Sequence, residues 1–198
     1  MKKAKKWILC LIVLACACLY IANAIRVTGE ANAKKKEVLP GEVFQVDGYE
    51  IRVTGAETTT LAGIIEPYSR EELERNTYYQ SMYKSMLDTD HRVYVLRMEV
   101  TNVDSDGLIS PADIFFHSRW WSVQRMILIE SLADEIFPDM ELRAEKGKTV
   151  ECLLYFTIAE SFIGDNWKNV DMDDKWISIK GRNGEVYSVN MGKLAPED

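Results

Sequence analysis

Hydropathy divides this chain sharply near residue 25. Lys2, Lys3, Lys5 and Lys6 precede Trp7 to Ile25, a run of 19 residues without a charge. A helix of that length rises about 28 Å at 1.5 Å per residue, close to the roughly 30 Å hydrocarbon core of a bilayer. The pattern predicts an N-terminal transmembrane or signal helix over 1–25. A polar, lysine-rich linker follows over 26–40 and ends at Leu39-Pro40-Gly41, which breaks the chain. Residues 41–198 then suffice for one hydrophobic core and are too few for two ordinary domains.

Beyond the linker the apolar positions recur mostly with period two. Glu42 to Val46 and Tyr49 to Thr54 flank Asp47-Gly48, a dipeptide suited to the positive dihedrals of a tight hairpin turn. From His91 to Val103, Tyr94, Leu96, Met98 and Val100 take one face while Arg97, Glu99 and Thr101 take the other, which predicts a half-buried antiparallel strand. Trp120 to Glu130 reads as a further strand rich in aromatic and branched residues. Thr149 to Ala159 places Val150, Cys152, Leu154, Phe156 and Ile158 on one side. Trp176 to Ile179 and Val186 to Val189, joined through Arg182-Asn183-Gly184, read as a closing hairpin. About seven strands separated by turn signals predict an all-β sandwich of two sheets.

One stretch changes period. Ser69 followed by Glu72 forms a capping box, and Glu71, Glu72 and Glu74 set negative charge at the positive end of a helix dipole. Tyr79, Met82, Tyr83 and Met86 then recur at three- and four-residue spacing, predicting one inserted α-helix over 69–88 with an apolar stripe. Such a stripe either packs on its own domain or, through adaptable Met and Tyr contacts, binds a partner.

The strand ending in Thr101-Asn102-Val103-Asp104-Ser105-Asp106-Gly107 and the Glu145-Lys146-Gly147-Lys148 turn before an apolar strand carry a resemblance. The chain resembles the immunoglobulin-like domains of unknown function found in secreted lipoproteins and membrane-anchored proteins of Gram-positive bacteria. In that group a strand ends in Asn before a polar turn, and a Gly-containing turn opens a later core strand. The resemblance spans about Gly41 to Leu194. It implies an immunoglobulin-like β-sandwich on the cell surface and transfers no catalytic residue; the helical insertion departs from its simplest form.

Three fates are open to the N-terminal segment. It stays as an anchor; it is cleaved at Ala22-Asn23-Ala24, a small-x-small site; or it is lipidated at Cys16, where Val13-Leu14-Ala15-Cys16 is similar to a bacterial lipobox. The basic residues tie across the segment, four before it against Arg26, Lys34, Lys35 and Lys36 after it, so charge counting leaves orientation open. The short lysine tail has the form of a signal n-region and puts the C-terminal domain outside the cytoplasm. Cys10, Cys16 and Cys18 lie in the apolar run, leaving Cys152 alone in the domain and no intrachain disulfide there. That combination points to a bacterial, more specifically Gram-positive, envelope.

Charge narrows the partners. Setting aside the four leading lysines takes the net charge from −7 to −11. An acidic surface repels phosphate backbones, which argues against nucleic acid and against broad adsorption to anionic membranes, and serves solubility.

Candidate chemistry is sparse. Cys152 shares its face with Val150, Leu154 and Phe156, so a buried, unreactive thiol is expected. His91 and His117 sit in no catalytic frame, and with Cys152 they give no short zinc spacing. Asp165, Asn166, Asn169, Asp171, Asp173 and Asp174 are acidic enough to attract calcium but lack the alternating ligands, glycine and distal glutamate of the standard loop. Ser118, Ser122 and Ser131 occupy no Gly-x-Ser-x-Gly elbow. Neighbouring strand residues point to opposite faces, and parity with Val123, Ile127 and Ile129 assigns Trp121 to the core and Trp120 to the outer side, where either the helix from Ser69 to Leu87 covers it or it stacks on a sugar or a protein. The expectation is a membrane-tethered, extracytoplasmic binding or structural module, without cofactor or metal and not an enzyme. Its partners are the membrane through its N-terminus and an envelope protein or glycan through Trp120 or the Tyr79, Met82, Tyr83 and Met86 stripe. The alternatives are a cell-surface hydrolase or thiol enzyme with a dispersed site and an envelope carbohydrate-binding module.

Overall fold

Two antiparallel-rich sheets face each other across one core. The structure, a computed structural model, describes residues 34–104, 113–123 and 144–194. The described strands are β1 (Lys35–Val38), β2 (Val43–Val46), β3 (Tyr49–Thr59), β4 (His91–Asn102), β5 (Ile114–His117), β6 (Ser122–Val123), β7 (Thr149–Ala159), β8 (Asp174–Lys180) and β9 (Val186–Lys193). One sheet has the order β2-β3-β4-β7 and is called the inner-strand sheet below; the other, β1-β9-β8-β5-β6, is called the edge-strand sheet. A compact unit begins at Lys36. Among the described residues no helix is long and apolar enough to cross a membrane. The 1–25 segment with Cys16, the turn at 105–107 and the strand expected beyond Val123 lie outside the described residues.

Alternation decides the core. On β4, Tyr94, Leu96, Met98 and Val100 point inward and are buried, opposite Phe156, Leu154, Cys152 and Val150 of β7 in register. The edge-strand sheet contributes Ile114, Phe116, Ile177, Ile179 and Val189. Tyr94, Phe116, Phe156 and Trp121 meet at its centre with ring centroids 4.6 to 5.8 Å apart, within the range of favourable aromatic pairing.

The turns tie one end of the sandwich together. Asp47 and Gly48 adopt φ 51° and 84°, the left-handed region a two-residue hairpin needs. The Asp47 carboxylate accepts the Arg182 N–H at 3.0 Å, so the β2–β3 hairpin of one sheet grips the β8–β9 turn of the other. Asn102, the last residue of β4, is buried; its Nδ2 donates to the Ala144 carbonyl at 2.8 Å, and its own carbonyl accepts the Gly147 N–H at 2.7 Å. Val103 and Asp104 both donate to the Gly48 carbonyl.

The helical insertion is not the single helix that periodicity predicts. It consists of α1 (Leu61–Ile65), capped by Thr60, α2 (Arg70–Arg75) with the Ser69–Glu72 capping box, a π-helical turn over Tyr79–Tyr83 and a 3₁₀ turn over Lys84–Asp88. Asn76 makes the break. Its backbone leaves the helix at ψ 116°, and its side chain accepts the Tyr79 N–H at 3.0 Å, so one residue ends α2 and caps the next turn. These turns cover the outer face of β4 and β7, where Leu61, Leu73, Tyr79, Tyr83 and Val93 form a second buried cluster with Met86 and Tyr155 packed against it.

Candidate binding pocket on the outer face

The residues singled out from sequence do not converge. Trp120 is 51% exposed and Trp121 only 8%. Their opposite orientations arise from a tight turn, with the Ser118 N–H donating to the Trp121 carbonyl, and not from the strand expected to begin at Trp120; the described strand is Ser122–Val123. The Arg119 guanidinium lies 4.8 Å from the Trp120 ring centroid and occupies part of its face. Tyr79 and Tyr83 face the sheet and are buried there, Met86 is partly buried beside them, and the side chain of Met82 is outside the described set.

The candidate reactive groups are held in structural contacts. Cys152 is buried, and desolvation pushes its thiol up to about 11. The imidazole of His91 bridges two elements: Nε2 accepts the Leu61 N–H at 3.0 Å, which places the ring proton on Nδ1, donated to the Thr89 carbonyl at 2.8 Å. In the acidic stretch Asp171 takes a two-pronged hydrogen bond from Arg92 at 2.9 and 3.1 Å, and Arg92 also lies over the Trp167 ring. Wholly buried Lys175 donates to the Asp173 carbonyl; burial lowers its pKa while Asp173, Asp171 and Asp174 raise it. Of these carboxylates, that of Asp171 is thus held by the chain's own Arg92. Among the described residues no group of three or more His, Cys, Asp and Glu side chains is arranged to hold a metal ion.

The outward side of the edge-strand sheet carries a different constellation. Since Ile177, Ile179 and Val189 point inward, Trp176, Ser178, Ser188 and Asn190 point outward. Register aligns His117 with Trp176 and Trp176 with Asn190, making one row across β5, β8 and β9. The rings of His117 and Trp176 stack at 5.9 Å and 17°, and His117 Nε2 is 2.8 Å from Ser178 Oγ, itself 2.7 Å from Ser188 Oγ. Beside this row, Glu37, Val38, Leu39, Trp176, Ser188 and Asn190 line a pocket of about 320 Å³.

Sequence reasoning placed Trp176 in a strand but did not see this pocket. The outward parity of Trp176 and Ser178 was readable; the wall supplied by Glu37 to Leu39, more than a hundred residues away, was not. The geometry suits binding better than catalysis. A His–Ser hydrogen bond is the pairing a nucleophile needs, yet Ser178 and Ser188 are 8% and 1% exposed. Moreover β8 is paired on both sides, so its backbone N–H groups are committed to the sheet and cannot form an oxyanion site beside Ser178.

No protein-family model and no curated protein matches the chain. Among solved structures it is similar to a functionally unknown protein from Listeria monocytogenes EGD-e, with 14% identity over 79% of this chain and 82% of that one and a TM-score of 0.46. The yjhA protein of Bacillus subtilis gives 13% identity, 79% and 98% coverage and a TM-score of 0.43. An uncharacterized beta-sandwich protein from Clostridium difficile 630 gives 15%, 79%, 94% and 0.40.

Proposed function

We propose that the protein is a membrane-tethered, extracytoplasmic binding module of a bacterial, Gram-positive envelope, built on an immunoglobulin-like sandwich and devoid of catalytic activity. The observation that carries the binding role is the Trp176 pocket, a concave site mixing an aromatic wall with carboxylate, amide and hydroxyl groups. Tethering rests on the four lysines before a 19-residue uncharged run. The immunoglobulin-like reading is supported by the topology: β4 and β7 pair in one sheet, the chain crosses to β5–β6 between them, and the β8–β9 hairpin lies beside β5, as in a Greek-key sandwich. Retention as an anchor, cleavage after Ala24 and acylation at Cys16 are all compatible with this role. Protease added to intact protoplasts should digest the domain while the protein fractionates with membranes, and intact mass separates the three fates. A domain protected in intact cells would overturn the topology.

A serine hydrolase is the second reading, favoured by the 2.8 Å contact between His117 Nε2 and Ser178 Oγ. Covalent labelling of Ser178 by a fluorophosphonate, abolished in Ser178→Ala, would replace the binding reading with this one.

A further inference from the structure

We propose that the pocket beside Trp176 takes a neutral pyranose sugar, with the apolar face of its ring stacked on the indole; this rests on the binding-module reading above. The indole has two faces and they differ. His117 stacks on the β5 side, whereas the other lining residues all come from β9 and the β1 segment, so the second face looks into the pocket. A single aromatic wall suits a ring whose C–H bonds point to one side and whose hydroxyls lie around its edge. Leu39, 73% exposed, extends the apolar surface.

The polar groups complete the match. Asn190 Oδ1 already accepts the Gly192 N–H at 2.8 Å, which turns the amide's NH2 toward a ligand as a donor. A carboxylate has about four acceptor sites, so Glu37 can accept from a hydroxyl beside the contact it already makes. A hydroxyl both donates and accepts and can serve the two together. An anion would meet a single side-chain amide donor, and a quaternary ammonium finds one aromatic ring where a cage of several is needed. The volume, about 320 Å³, sits at the low end of the roughly 300–1,000 Å³ of small-molecule sites and admits a short saccharide.

The test uses the full chain in a polyoxyethylene ether detergent, which contains no sugar, with chitotriose, cellotriose and choline as separate probes in saturation-transfer NMR. The expected result is a saccharide signal strongest at the ring protons of one face, weakened about tenfold or more in Trp176→Ala, as for loss of an aromatic anchor. Trp176→Phe should retain part of it, Glu37→Gln, at an exposed position, should reduce it, and Trp120→Ala should leave it unchanged. Circular dichroism checks that each variant is folded. Choline binding that depends on Trp176, without saccharide binding, would overturn the sugar assignment and leave the pocket standing. Absence of any Trp176-dependent signal from the three probes would overturn both.

Discussion

Cys152 offers the sharpest test of the inert core. Its thiol is 5% exposed, packed opposite Met98, and desolvation lifts it from an ordinary 9 to about 11. Below pH 9 each unit of that lift cuts the thiolate tenfold, so at pH 8 the reactive form should be about a hundredfold scarcer than in the unfolded chain, before any steric exclusion. With Cys10, Cys16 and Cys18 changed to Ala, Ellman's reagent reports Cys152 alone, and release of its coloured thiolate should be at least that much slower in the native protein than in guanidinium. The stability consequence follows in sign. Ionisation is resisted in the fold and allowed in the unfolded chain, so stability is whole below pH 9 and falls as pH rises from 9 to about 11, by roughly 2–3 kcal/mol at about 1.4 per unit. Cys152→Val should reduce the alkaline slope between pH 9 and 10, before Tyr94 and Tyr155, also raised by burial, add theirs. Native labelling within a factor of ten of the unfolded rate, or an unchanged slope in Cys152→Val, would refute the buried-thiol account.

Three further outcomes are expected. Tyr83→Ala, opening a hole between the helical cover and β4, should cost about 2–4 kcal/mol and lower the melting temperature in calorimetry. Asn102→Ala leaves the Ala144 carbonyl without its side-chain donor and should cost about 1–3 kcal/mol by chemical denaturation. Glu185, drawn down to about 2 by Lys36, Tyr187 and Asn183, stays ionised in mild acid, and its contribution is present above pH 4.5 and lost as pH falls toward 2. Hydrogen exchange in β1 should therefore accelerate over that window in the native sequence and lose this acid dependence in Glu185→Gln.

The long strands were legible because each carries its own pattern. β4 and β7 alternate over 11 or 12 residues, and their inward sets read from sequence are the ones that meet across the core. Short or charged elements were not. β1 looks like tether because it is Lys35-Lys36-Glu37, yet Lys36 finds Glu185 at 2.7 Å and the Tyr187 hydroxyl at 3.2 Å, partners about 150 residues away. β5 has four residues, too few for a period, and is fixed by pairing with β6 and β8. The helix broke at Asn76, whose local bonding outweighs the apolar spacing around it. The pocket failed to show for the same reason as β1, since its walls come from opposite ends of the sequence.

The grip of Asp47 on Arg182 has a consequence for engineering. Asn would suit the left-handed turn at 47 at least as well, so local preference alone does not require an aspartate there. What the side chain adds, through an acceptor oxygen that an Asn would also carry, is a shared fate for two loops that sequence separates by 135 residues. A tag or graft placed in the 181–184 turn would loosen the β2–β3 hairpin, and a permuted chain opened at 47–48 would unfasten the β8–β9 tip. Neither site is a neutral point of entry, however exposed it looks.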